Sequence, residues 1–379
     1  MKYHQLLLLS ALIAAGCKKP AAHITINGNI TGLNNAVYLL KGEVGDTLGN
    51  NNISNGTFKI DTPLNNPGYG NLTLIQNGVE HKESYEIYME PGEYTLNSNL
   101  QHLSNYPKIT SSSKIQQELS NYYQLYDQLA AGAHAKSVKA EAQLNNKKSL
   151  ALTKDAYVAL INKVSAAEQE EKKAQVKALQ AFVEQNPQSV ASAHLMDKLN
   201  LEDNVPAYNA LFNKLSVAAR NSEDGKRISA KLSILTKLQP GVKAPDINGT
   251  TPDGKKFDVA SLDKKGYIID FWRAGNEASR VVHQDMIHVL QKDKYGRQFG
   301  IISISLDSKR DWWTKAIADD HMSWSQYSDL KGDDSPNAVN WAIGTIPTYY
   351  LVDSKWRIIE RNVDHNRLLY DITEYLSKH

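Results

Sequence analysis

At 379 residues the chain is long enough for two or three domains with ample core. Lys and Arg number 43 against 41 Asp and Glu, a formal net charge of +2 spread along the chain, and no basic stripe with interleaved aromatics singles out nucleic acid as a partner. One cysteine in the whole sequence excludes any intrachain disulfide.

That cysteine is Cys17, and its surroundings explain it. Met1-Lys-Tyr-His forms a short basic start, and Leu6 to Ala15 is an apolar run. A bilayer span needs roughly 20 residues, so this run has the length of a signal peptide instead. It ends in Ala14-Ala-Gly-Cys17, which resembles the lipobox of bacterial lipoproteins. The resemblance implies removal of residues 1–16 and lipid attachment at Cys17, with 17–23 as a tether. Several acyl chains at about 0.8 kcal/mol per buried CH₂ make a stable membrane anchor. Lys18-Lys19 offers no acidic export tag, so a cell-envelope anchor facing the periplasm is expected. With Cys17 lipidated, residues 24–379 have no thiolate for disulfide exchange or peroxide reduction.

Residues 24–110 read as all-β. Short alternating runs such as Ala36-Val-Tyr-Leu-Leu are separated by Asn-Gly and Gly-Asp turns, and strand signals recur every ten or so residues. A small sandwich or barrel is expected. Ile26 to Leu33, the Asn-Gly-Thr-Phe turn and the Glu-Pro-Gly corner resemble an uncharacterised β-domain that precedes thioredoxin-like domains in envelope lipoproteins. No catalytic cluster stands out in it.

Residues 113–238 read as an α-helical region. Ser113 is placed to cap a helix with apolar positions Ile115, Leu119, Tyr122, Tyr123 and Tyr126. Ala130 to Asn146 reads as a loose connection or a poor helix. A long helix is expected from about Leu150 to Glu184, ended by Asn186-Pro187, and shorter ones at roughly 188–200, 205–220 and 225–238.

From Pro240 onward strand and helix patterns alternate, as in an α/β domain. Tyr267 to Trp272 is an apolar run carrying one acid, Asp270, and a helical pattern begins near Ala278. Asp270-Phe-Trp272 leading into Gly275-Asn-Glu-Ala-Ser279, then Thr345-Ile-Pro-Thr348, resembles the membrane-anchored thioredoxin-like (TlpA-like, peroxiredoxin-related) family over 240–379. The resemblance implies a thioredoxin-like fold with a thiol-disulfide centre, and Asn276 and Ser279 stand at its two cysteine positions. It also implies a cis bond before Pro347, an Ile346 backbone that pairs with an extended peptide, and a buried proton-handling acid at Asp270. Arg273 and Gly275 depart from the family's Ala and Trp.

The residues themselves favour a quieter reading. Asn, Glu and Ser suit a helix N-terminus as caps and dipole partners. Asp270 is expected to be satisfied by a neighbouring polar group or water. Ser279 with His283 would be a hydrolase pair only with an oxyanion site, for which no signal exists. His283 and His288 are five apart, which does not suit one metal ion, and no cofactor motif occurs. The expected function is non-catalytic binding of a peptide or protein in a groove formed by Trp272, Gly275, Ile346 and Pro347. The rivals are a thiol-disulfide oxidoreductase or peroxidase and a structural scaffold.

Overall fold

The computed structural model describes residues 22–76, 79–291, 297–365 and 367–378. The expected signal segment 1–16 and Cys17 lie outside them. Among the described residues no helix is long and apolar enough to cross a membrane. The chain divides into two compact units, one ending at Leu195 and one beginning at Met196.

The first unit opens with eight strands: β1 (His23–Thr31), β2 (Ala36–Gly42), β3 (Thr47–Ile53), β4 (Thr57–Pro63), β5 (Gly68–Gln76), β6 (Val79–Met89), β7 (Gly92–Asn99) and β8 (Lys108–Ser111). They form two four-stranded sheets, ordered β4-β1-β7-β8 and β3-β2-β5-β6. Their inward side chains build one core, with Ile24, Ile26, Phe58 and Leu96 from the first sheet meeting Tyr38, Leu40, Leu72 and Ile87 from the second. The two-residue alternation of β1 and β4 is what makes this possible, since each strand buries one face. Of the two expected architectures, the sandwich is the one formed. Asn55 and Gly56 both take positive φ at the β3–β4 corner, the geometry that Asn-Gly supports in a two-residue hairpin loop. Gly28 lies in register with Phe58, whose ring occupies the space a Cβ would need.

Three helices complete this unit: α1 (Lys114–Leu129), α2 (Ala131–Leu144) and α3 (Lys154–Gln185). Ser113 caps α1 by accepting from the Gln116 N–H at 3.2 Å. Its buried side includes the polar Gln116 and Ser120 besides Leu119 and Tyr122. Gln116 is satisfied there, accepting from the Tyr88 N–H and donating to Tyr106 Oη and Ser120 Oγ. Of the two readings of the next stretch, a loose connection or a poor helix, the helix is the one formed, as α2. Its amphipathicity is weak, but Ala133, Ser137 and Ala140 are small enough to be buried along one side. Helix α4 (Ala191–Asp197) spans the boundary, so the helical region is shared between the two units instead of standing apart.

The second unit begins with α5 (Val205–Lys214), α6 (Val217–Asn221) and α7 (Glu223–Leu235), where a single helix over 205–220 was expected. Leu215 is extended and Ser216 caps α6, which breaks the run. The rest is an α/β domain built from β9 (Gly266–Trp272), α8 (Glu277–Gln291), β10 (Phe299–Ser305), α9 (Arg310–Asp319), β11 (Ser325–Ser328), α10 (Pro336–Asn340), β12 (Thr348–Asp353), β13 (Ile358–Arg361) and α11 (Leu368–Lys378). The sheet order is β11-β10-β9-β12-β13. β10 runs parallel to β9 and β11, while β12 is antiparallel to both of its neighbours. This is a thioredoxin-like fold. Every residue of β9 is buried, because helices and loops cover both faces. Tyr267, Ile269 and Phe271 face a core with Trp341, Tyr350 and Trp356. Ile268 faces the other side with Val282 and Met286 of α8, and Trp272 packs on Trp313 of α9.

Candidate functional site: the β9–α8 turn

Strand periodicity puts Asp270 on the same face as Ile268 and Trp272, pointing toward α8. Asp270 is fully buried. Its register partners are Ser303 on β10 and Tyr349 on β12, so three polar side chains occupy one row across the sheet. Ser303 Oγ donates to Asp270 Oδ2 at 2.6 Å and accepts from Trp324 Nε1 at 2.8 Å. The other partner of Asp270 is His283, whose Nε2 lies 3.1 Å from the same Oδ2.

His283 is itself fully buried, one helical turn beyond Ser279. Its second nitrogen, Nδ1, lies 3.2 Å from Asp320 Oδ2. Asp320 in turn receives the guanidinium of Arg280, with one contact at 2.6 Å. A hydrogen-bonded chain therefore runs Trp324–Ser303–Asp270–His283–Asp320–Arg280. Carboxylates face both ring nitrogens, and a carboxylate only accepts, so the imidazole must donate twice and is a second cation in the chain beside Arg280. Burial opposes that charge, but the hydrogen bonds and charges of Asp270 and Asp320 outweigh it and hold the His283 pKa above its ordinary value. Trp272 packs edge-on against the ring, with centroids 4.9 Å apart.

Above this chain sits the turn. The Asn276 side chain makes three contacts. Its Oδ1 accepts from the Ser279 N–H at 2.8 Å and from Ser279 Oγ at 3.1 Å. Its Nδ2 donates to the carbonyl of Ile346 at 3.3 Å. Three contacts of fixed polarity define which way the amide points. The Ile346–Pro347 bond is cis. Asn276 thus caps the helix and ties the turn to the proline loop.

These positions revise several expectations. The neighbouring polar groups expected for Asp270 are His283 and Ser303, and Oδ1 has no hydrogen-bond partner among the described residues. Ser279 is buried and committed to Asn276, while His283 has both nitrogens engaged, so no Ser–His nucleophile forms. Trp272 does not line a groove. It is fully buried, because the face it shares with Asp270 is covered by α8 and α9. Gly275 is exposed and Asn276 half-exposed, and both border a depression of about 580 Å³ with Arg273, Leu306, Ser308 and Trp312. Half-buried Pro347 borders a different depression of about 330 Å³ with Thr345, Tyr349 and Asn362. The expected single groove is two hollows, one bordered by Asn276 and the other by Pro347.

The residue that sequence reasoning missed is Asp320. Nothing in its neighbourhood marks it, since it lies 37 positions from His283 and completes the chain only in three dimensions. Tyr349 was also unmarked. Its hydroxyl is buried without a partner among the described residues, and burial with the nearby Asp270 charge pushes its pKa well up. Asp270 and Asp320 approach His283 from opposite nitrogens, and no His, Cys, Asp or Glu cluster among the described residues converges to hold a metal ion.

A family model described as "Domain of unknown function (DUF4369)" matches residues 24–119. No curated protein matches the chain. Among solved structures, a thiol-disulfide oxidoreductase from Bacteroides fragilis is 25% identical, covers 35% of this chain and 98% of its own, and has a TM-score of 0.33. The thioredoxin domain of a thiol-disulfide oxidoreductase from Bacteroides vulgatus is 26% identical, covers 37% and 97%, and has a TM-score of 0.32. A thiol:disulfide interchange protein from a Bacteroides species is 26% identical, covers 38% and 90%, and also has a TM-score of 0.32. The similarity is confined to the C-terminal part.

Proposed function

We propose that the thioredoxin-like unit is a non-catalytic recognition domain of a lipid-anchored envelope protein, facing the periplasm and binding an extended peptide or protein segment at the β9–α8 turn. The observation that carries this reading is Asn276. Its amide occupies a reactive position of the fold's usual turn and links Ser279 to the Ile346 carbonyl. A thiolate would attack a bound disulfide, whereas this amide makes its contacts within the turn and holds the Ile346 carbonyl in place for a bound chain. The carbonyl keeps a second lone pair, and Gly275 leaves open space above the turn for an added strand. Membrane attachment through Cys17 is supported by the Leu6–Ala15 run and Ala14-Ala-Gly-Cys17.

The rival, a thiol-disulfide oxidoreductase or peroxidase, draws on the retained buried acid Asp270. It requires a nucleophile that Asn276 and Ser279 do not provide. A chain starting after Cys17 is expected to reduce insulin disulfides no faster than buffer with dithiothreitol, and turnover would reinstate the rival.

Recognition has its own test. Peptides selected from a randomised library on the same protein are expected to lose affinity about tenfold or more on Gly275→Trp. Gly275 suits this test because a Cβ there meets nothing within 4 Å and its φ is not left-handed, so a side chain can start there without backbone strain. Unchanged affinity, or failure to select any peptide, would remove the proposal.

A further inference from the structure

The N-terminal unit carries a hollow of its own, of about 530 Å³, within the range of small-molecule sites. β6 contributes Tyr85 and Glu86, the segment after β7 contributes Tyr106, α1 contributes Tyr123, Tyr126 and Asp127, and α2 closes one side with Val138. Its walls are aromatic and already ordered. Tyr106 and Tyr123 stack with centroids 4.5 Å apart and planes 10° from parallel. Tyr85 stands edge-on to Tyr106.

The hydroxyls of these walls are spent inside the fold. Tyr85 donates to the Leu103 carbonyl at 2.6 Å, Tyr106 to the Glu86 carbonyl at 2.6 Å, and Tyr123 to Glu86 Oε2 at 2.8 Å. A ligand here meets ring surface more than hydroxyl donors. The charge in the wall is negative. Asp127 accepts the Tyr106 N–H at 2.8 Å, and no basic side chain among the described residues pairs with it. The described lining contains no Lys or Arg, and its one imidazole, His134, is held by Glu171 at 2.7 Å. Burial pushes the Asp127 carboxyl up against the opposing pull of the Tyr106 N–H, so the carboxylate stands partly desolvated without a counter-charge.

We propose that this hollow is a binding site for a small organic cation, an ammonium group joined to an apolar or aromatic body, with Asp127 taking the ammonium and the tyrosine rings holding the body. An ammonium gains from both the carboxylate and the negative faces of the rings. An anion is repelled by Asp127, whereas Glu86 is already held by His194 at 2.9 Å. A neutral isostere keeps the ring contact but leaves the carboxylate unpaired.

The test uses the purified full chain and benzylamine, followed by saturation-transfer difference NMR and titration calorimetry. Benzylamine is expected to bind about tenfold or more tightly than neutral benzyl alcohol. Asp127→Asn keeps an acceptor for the Tyr106 N–H and should retain the fold, which circular dichroism checks. In this variant benzylamine affinity is expected to fall about tenfold, to the level of benzyl alcohol, which itself should not change. Amine binding by wild type should also weaken as pH falls and Asp127 takes up a proton. Three results would overturn the proposal: equal binding of amine and alcohol, no loss on Asp127→Asn, or no amine binding at millimolar concentration.

Discussion

Replacing His283 with leucine is expected to destabilise the thioredoxin-like unit by about 3–5 kcal/mol, because it strips a buried carboxylate of its counter-charge. Asp320 keeps Arg280, but Asp270 keeps only Ser303, and its Oδ1 already lacks a partner. For a unit of this size the loss corresponds to a fall of roughly 10 °C in melting midpoint, readable by scanning calorimetry. Asp270→Leu together with His283→Leu should recover much of it, since removing both charges also removes the desolvation penalty. A single His283→Leu variant within about 1 kcal/mol of wild type would mean the imidazole is not the buried cation described above.

The same group sets a pH dependence whose sign follows from linkage. Folding raises the His283 pKa, so the folded state holds this proton more tightly than the unfolded chain. The stabilisation is complete below the unfolded value of about 6.5 and declines as pH rises through the folded value. Urea midpoints of wild type are therefore expected to fall between neutral and alkaline pH, and those of His283→Leu to fall less. Identical slopes would contradict this assignment.

The second large effect is a gain. Asn276→Cys with Ser279→Cys is expected to create a reversible disulfide and measurable insulin reduction, about tenfold or more above the wild-type background with dithiothreitol. The two side chains already touch, with Asn276 Oδ1 at 3.1 Å from Ser279 Oγ. They stand at the start of α8, where unpaired N–H groups and the helix dipole stabilise a thiolate. Arg280 and the buried Asp270 lie next to and below them. Mass spectrometry reads the disulfide as the loss of two hydrogens, and either single cysteine variant should stop at mixed disulfides. If the pair fails to oxidise, the turn does not have the geometry of a redox centre. Oxidation without turnover would instead locate the obstacle on the surface, where Arg273 and Gly275 stand.

Much of this molecule could be read from local pattern. The two-residue alternation of β1 and β4, the Asn55-Gly56 corner, the Ser113 cap and the length of α3 all depend on residues a few positions apart. The order of strand, turn and helix around Asn276 was legible for the same reason. Helix α2 was legible only as one of two alternatives, because its small buried residues carry almost no periodic signal and acquire meaning only from the packing they allow.

By itself the sequence determined that the chain has one cysteine, Cys17, and that the turn before α8 carries Asn276 and Ser279. No tertiary contact can add a missing sulfur atom, so the absence of any intrachain disulfide follows from composition alone. Tertiary structure alone decided what the surrounding residues do. Alternation along β9 puts Trp272 and Asp270 on one face, yet only the placement of α8 and α9 shows that face to be closed. Burial favours polar groups that find a partner, and the partners of Asp270 and His283 come from distant parts of the chain. Asp270 meets a histidine 13 residues on, and that histidine meets an aspartate 37 further. Desolvation acts on neighbours in space, and a linear pattern records only neighbours in sequence.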